Sequence, residues 1–279
     1  MVTGGTASSD KTISLVNGGT GEIQVGAAAS SILLSGSISG SGVLVKSGAG
    51  ELILSASNGF SGGIQLTGGT LILENGSAAS VTASTGTSFK YAAQSNQPYA
   101  ISGNLTSGGG ATSRLGGAIG GASTSAAINV SGAAVLSAAG TVIDVYGISG
   151  LFPNTGTYTL VQGGGGSSLN PGTLSLGNVY NAAAFTISSN PVATATTITI
   201  GITASAGISD AYWTGGFTGA TNVWAISNGV DRSNWASIAS GGTQSYVPGT
   251  TTMVHFSANS GAIITCLLYT SPSPRDQRG

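Results

Sequence analysis

Residues 36–76, GSISGSGVLVKSGAGELILSASNGFSGGIQLTGGTLILENG, repeat a short apolar strand, a glycine turn and a second apolar strand. The spacing continues outward from this stretch. Ile32-Leu33-Leu34, Leu52-Ile53-Leu54 and Leu71-Ile72-Leu73 follow one another at offsets of 20 and 19 residues, and Ile13 with Leu15 extends the series by another 19. A second ladder interleaves with it: Ile23 and Val25, Val43 and Val45, then Ile64 and Leu66, at offsets of 20 and 21. Two strands per repeat of this length predict an all-β solenoid, in which each coil buries a face against its neighbour that it cannot bury alone.

Composition agrees with a folded coil. The 279 residues include 48 glycines, 40% are hydrophobic and only 5% are charged, the opposite of a disordered chain. Low charge suits stacked coils, which set equivalent side chains about 4.8 Å apart, close enough for like charges to repel. Glycine does not recur at every third position, which excludes collagen. With a formal net charge of -1 and no cluster of Lys and Arg, the chain has no electrostatic footprint for nucleic acid or an anionic membrane. No stretch of about eighteen apolar residues predicts a spanning helix.

The start, Met-Val-Thr-Gly-Gly-Thr, does not resemble a signal peptide, so an export signal is expected to lie outside this chain. Cys266 is the single cysteine and His255 the single histidine, too few for an internal disulfide or a structural zinc site. No cofactor or metal is expected. Residues 266–276, CLLYTSPSPRD, break abruptly with the Gly, Ser, Thr and Ala before them. They read like a translated sequencing adapter, so residues 266–279 are set aside as a non-native tail, with the natural frame expected to continue beyond Thr265.

Residues 1–10 form the edge of the fragment and 11–125 the solenoid, its later coils echoed by Phe89 and Tyr91, then Ile101 and Leu105. From 126 to 209 the strands are separated by turns such as Asn170-Pro171-Gly172, and Ile198, Ile200 and Ile202 share one face. This region predicts antiparallel strands that cap or extend the solenoid. A further β module covers 210–265, with Trp213, Trp224 and Trp235 spaced by eleven residues.

Residues Gly42, Leu44, Lys46, Gly48, Gly50, Leu52, Leu54, Ser55, Asn58, Phe60, Gly62, Gly63, Gly69, Thr70 and Leu71 resemble the autotransporter-associated β-strand repeat. The resemblance implies an autotransporter passenger: a right-handed parallel β-helix, carried to the surface of a Gram-negative-type bacterium through an outer-membrane barrel fused at the carboxy terminus. The chain departs from that pattern in having no series of ten-residue alternating strands with aromatic girdles, so a translocator barrel is expected in a missing part.

Few residues could carry chemistry. Glu51 and Glu74 flank neighbouring apolar triplets about four residues apart along the strand, roughly 13 Å, too far to share a glycosidic bond; Glu22, Asp144, Asp210 and Asp231 lie in other segments. Gly59-Phe60-Ser61-Gly62-Gly63 matches a nucleophile elbow in form but joins two repeat strands with no helix behind it. Gly163 to Gly166 lacks the Gly-Lys-Ser/Thr of a phosphate loop. His255 alternates with Val254 and Phe256 and decorates a strand. The tryptophans are the residues suited to stack on a glycan or partner, or equally to anchor a small core. The sequence therefore predicts a non-catalytic extracellular stalk or passenger fragment that contacts host or cell-envelope components. Its alternative is a glycan-binding or glycan-degrading protein using residues 210–256.

Overall fold

The computed structural model describes residues 5–59, 61–122, 125–220, 223–242 and 244–256. These residues are all β, without a helix, and most strands pair in parallel. The chain passes through three sheets in turn, and each pass adds a strand to the previous one. The nine-stranded sheet begins with Gly5–Ser9, Ser30–Leu34, Glu51–Leu54 and Thr70–Leu73, and continues through Ser88–Tyr91, Arg114–Ile119, Val142–Gly147 and Ser175–Tyr180. A six-stranded parallel sheet takes Thr20–Gln24, Val43–Ser47, Gly63–Leu66, Ser80–Ala83, Leu105–Ser107 and Ala134–Leu136. The third face starts as the pair Ile13–Leu15 and Ile38–Gly40, passes through a bridge between Asn58 and Gly76, and widens into a second six-stranded sheet.

The first ladder is reproduced in register: Ile32 pairs with Leu52, Leu52 with Leu71, Leu71 with Phe89, Phe89 with Leu115 and Leu115 with Ile143. Leu52, Leu71, Phe89, Leu115 and Ile143 are fully buried, and Leu54, Leu73 and Tyr91 form a parallel inward row. Each buried leucine contributes about 1.5–3 kcal/mol, so stability accumulates coil by coil.

Two registers differ from the sequence expectation. Ile13 and Leu15 belong to the third face, opposite Ile38 and Gly40, and the residue that precedes Ile32 in its ladder is Ala7. In the second ladder, Leu44 and Lys46 stand opposite Ile64 and Leu66, while Val43 and Val45 turn outward. A one-residue slip exchanges the faces of a strand. The slip arises because Lys46, polar and charged, occupies an inward position with no exposure. Hydrophobic alternation alone assigned that position to the two valines.

The parallel stacking also runs past residue 126. Ile128–Val130 pairs in parallel with Gly156–Gln162, and Val142–Gly147 with Ser175–Tyr180. Antiparallel pairing enters with Thr197–Ala204, which lies between Gly156–Gln162 and Phe185–Ala193, and with Ile226–Ser227 at the end of the nine-stranded sheet. Ile198, Ile200 and Ile202 share the buried face, as expected. One continuous core joins Leu15 to Ile202, and a separate small core holds Ala211, Trp213, Trp235 and Val247.

Candidate functional site

The repeat motif is a device for stacking coils. Lys46 extends from an inward position and its ammonium donates to the carbonyls of Ser47, Gly48 and Gly68, each at 2.9 Å. Gly68 lies one coil beyond Gly48, so a single cation ties two successive turns together. Three donors meet three acceptors, which satisfies a buried charge that would otherwise be prohibitive. Gly48 and Gly69 adopt φ of 75° and 68° at these turns, backbone that glycine enters without strain. At Gly62 a Cβ would overlap the Gly42 carbonyl oxygen, so only glycine allows the coils to close. Gly50 and Gly63 lie in the same close contacts between coils. Asn58 is buried: its Oδ1 accepts from Ile38 N at 2.7 Å and its Nδ2 donates to Ala56 O at 2.9 Å. Phe60 and residues 257–279, with Cys266 and the adapter-like tail, lie outside the described residues.

Burial pushes the Lys46 ammonium down to about 8 from its ordinary 10.5, with Glu51 opposing the shift. The unfolded chain therefore binds more protons between about pH 8 and 10.5, and stability rises with pH across that window. Burial acts the other way on tyrosine. Tyr91 is pushed up to about 12, and Tyr99 and Tyr146 higher still. Above pH 10 the unfolded chain loses those protons first, and stability falls by about 1.4 kcal/mol per pH unit for each of the three. Thermal melts from pH 6 to 11 are expected to peak between pH 9 and 10. A profile that falls steadily from pH 8 contradicts this balance.

The tryptophan module does not present three exposed rings. Trp235 is fully buried and Trp213 nearly so, with ring centroids 4.9 Å apart and edge to face; Trp224 is 37% exposed. Trp235 Nε1 donates to the Trp224 carbonyl at 2.8 Å, and Phe256 flanks both rings. Trp213 and Trp235 thus pack a small core, leaving Trp224 alone able to offer a ring face. His255 sits in the strand Met253–His255, 2.9 Å from Asp210 Oδ1 and stacked on Tyr212. Ser209 donates to Asp210 Oδ2 at 2.8 Å. The wiring runs from serine to aspartate to histidine, so the hydroxyl does not meet the imidazole that takes the serine proton in a Ser-His-Asp triad. The His255 hydrogen bond, with that of Ser209, holds Asp210 below the usual carboxylate range. Ser61 lies in a turn, its N–H bonded to Gly40 O. Glu51 pairs with Thr70, and Glu74 lies four residues further along that strand's direction.

Sequence reasoning missed an ion cluster on the outer side of the nine-stranded sheet. Asp144 is wholly buried; Arg114 grips both of its oxygens, Lys90 Nζ lies 3.0 Å from Oδ2, and Asn178 N donates to Oδ1 at 2.8 Å. Lys90 and Asp144 stand in register with Gly116 between them. A side chain at Gly116 would press on Lys90 and Tyr146, and one at Gly177 would overlap Asp144, so two glycines clear the space for the ions. The Tyr146 and Tyr180 rings stack 4.6 Å apart beside them, with Lys90 Nζ 5.7 Å from the Tyr180 centroid. A cavity of about 220 Å³ opens here between Ile53, Ile72, Glu74, Gln94, Tyr146 and Tyr180. Burial raises the proton affinity of Glu74 and a hydrogen bond from Gln94 opposes it.

Residues 44–73, which form these stacked strands, match the passenger-associated-transport-repeat family. The chain carries an autotransporter-associated repeat of the passenger type. The adhesin BmaC autotransporter of Brucella suis biovar 1 (strain 1330) is 42% identical over 69 residues, which is 25% of this chain and 2% of that protein. The chain thus spans a very small part of that relative's length. No solved structure matches the chain. Among the described residues no helix is long and apolar enough to cross a membrane, and no group of three or more His, Cys, Asp or Glu is placed to hold a metal ion.

Proposed function

We propose that this chain is a segment of an autotransporter passenger: a non-catalytic, right-handed parallel β-helix that stands outside a Gram-negative-type bacterium and presents surface for adhesion to host or envelope components. The observation that carries this reading is the parallel pairing of eight successive strands of the nine-stranded sheet, from Gly5–Ser9 to Ser175–Tyr180, with a single register shift between Ile143 and Val145 in the last pair. It makes a stack whose stability is a sum of local interfaces and whose length can grow by adding coils. The adhesin named above supports the adhesive role. Apart from the buried Lys90, Arg114 and Asp144 cluster and the Asp210–His255 pair, the charged groups are few and scattered, which supports a structural rather than a catalytic part. The alternative, a glycan-active module built on residues 210–256, is weakened by the burial of Trp213 and Trp235.

Residues 5–256 fused to a heterologous outer-membrane translocator in a laboratory Gram-negative strain provide the test. External protease is expected to release the segment from intact cells, and displaying cells are expected to bind epithelial monolayers several-fold better than cells with the empty translocator. Display without a gain in attachment would overturn the adhesive role, and retention in the periplasm the passenger role.

A further inference from the structure

We propose that the outer side of the nine-stranded sheet carries a binding cleft for a short neutral saccharide, two rings long, laid across Asn181. Next to the 220 Å³ cavity lies a second of about 250 Å³, and the two share Ser149 and Asn181. The first has Ile53 and Ile72 as its apolar floor and Glu74, Gln94 and Tyr180 as polar groups; the second adds half-exposed Phe152 and the turn Pro248 to Thr250. Apolar surface joined to a few carboxylate, amide and hydroxyl groups matches a sugar, whose C–H faces are apolar and whose edges donate and accept hydrogen bonds.

Two observations narrow the ligand. Among the described residues no Lys, Arg or His lines either cavity, so an acidic sugar would meet Glu74 without a compensating cation there. The underlying strands Glu51–Leu54, Thr70–Leu73 and Val142–Gly147 pair on both sides. An extended peptide therefore finds no free strand edge to join, and recognition falls to side chains.

Asn181 marks the junction. Among the described residues it is the one non-glycine with positive φ, 55°. Its backbone is held at both ends, with N donating to Ala225 O at 2.9 Å and O accepting from Ala183 N at 2.8 Å, while the residue as a whole is exposed. Left-handed backbone costs free energy and clusters at ligand clamps. Behind it the Tyr146 and Tyr180 stack rests on the buried ion cluster, which fixes one wall before any ligand arrives. Sugar binding by the purified chain does not depend on surface display, so this inference and the passenger reading fail separately.

Saturation-transfer NMR of the purified chain with millimolar lactose, cellobiose and N,N′-diacetylchitobiose tests the cleft. At least one of the three is expected to receive saturation. Asn181→Gly keeps the left-handed backbone and removes the amide, and Glu74→Gln keeps the shape and removes the charge. Each is expected to weaken binding about tenfold, as the loss of one good hydrogen bond does, with the melting temperature nearly unchanged. No transfer to any of the three sugars, wild-type affinity in both variants, or binding of 3′-sialyllactose in preference to the neutral sugars would overturn the proposal.

Discussion

Asp144→Asn is expected to destabilise the protein by about 3–5 kcal/mol, the usual consequence of removing one partner from a buried ion pair. Asp144 has no exposure, and every direction around its carboxylate is occupied by a donor from Arg114, Lys90 or Asn178. An asparagine turns an NH₂ toward those donors and leaves two cations without an anion. In a domain of this size the change corresponds to a fall in melting temperature of roughly 10 °C. Lys90→Met separates charge from packing: it removes the surplus cation and leaves Arg114 paired one to one with Asp144. Its cost is expected near 1 kcal/mol, since Met fills a similar space over Gly116. Equal losses in both variants, or a loss below 1 kcal/mol for Asp144→Asn, would show that the carboxylate does not hold the cluster.

How legible these features were depended on which residues carried them. The row Leu52, Leu71 and Phe89 could be read directly, because inward apolar residues recur at nearly constant spacing and the coils there are close to equal in length. The ion cluster could not. Lys90 is separated from its register partner Gly116 by 26 residues and Gly116 from Asp144 by 28, after coils of 20 and 19, so no fixed period brings them together. The cleft is harder still, because its walls come from several passes of the chain and a strained Asn181 that no pattern announces. Tryptophan spacing likewise left burial open: the eleven-residue interval is the same whether the rings pack on each other or face solvent.

Lys46→Ala is expected to cost about 4–8 kcal/mol. It strips the buried methylenes, at about 0.8 kcal/mol each, and strands carbonyls that lose their donor, at about 1–3 kcal/mol each. Ser47 O also accepts from Val25 N, so the penalty falls mainly on Gly48 and Gly68. Lys46→Met restores most of the volume and none of the hydrogen bonds, and is expected to recover only the methylene part. It also carries a second readout. The rise in stability between pH 8 and 10 belongs to the depressed Lys46 ammonium, so the Met variant is expected to show a flat profile up to the pH where the tyrosines begin to titrate. A Met variant as stable as the wild type at pH 7 would mean that desolvation of the ammonium cancels its three hydrogen bonds. In that case the lysine of this repeat would set the register of one coil on the next without adding to stability. A loss of several kcal/mol would instead make this cation the tie that holds neighbouring turns, and the same substitution in any coil with a lysine so placed should loosen that coil first, as faster amide exchange in its two flanking strands.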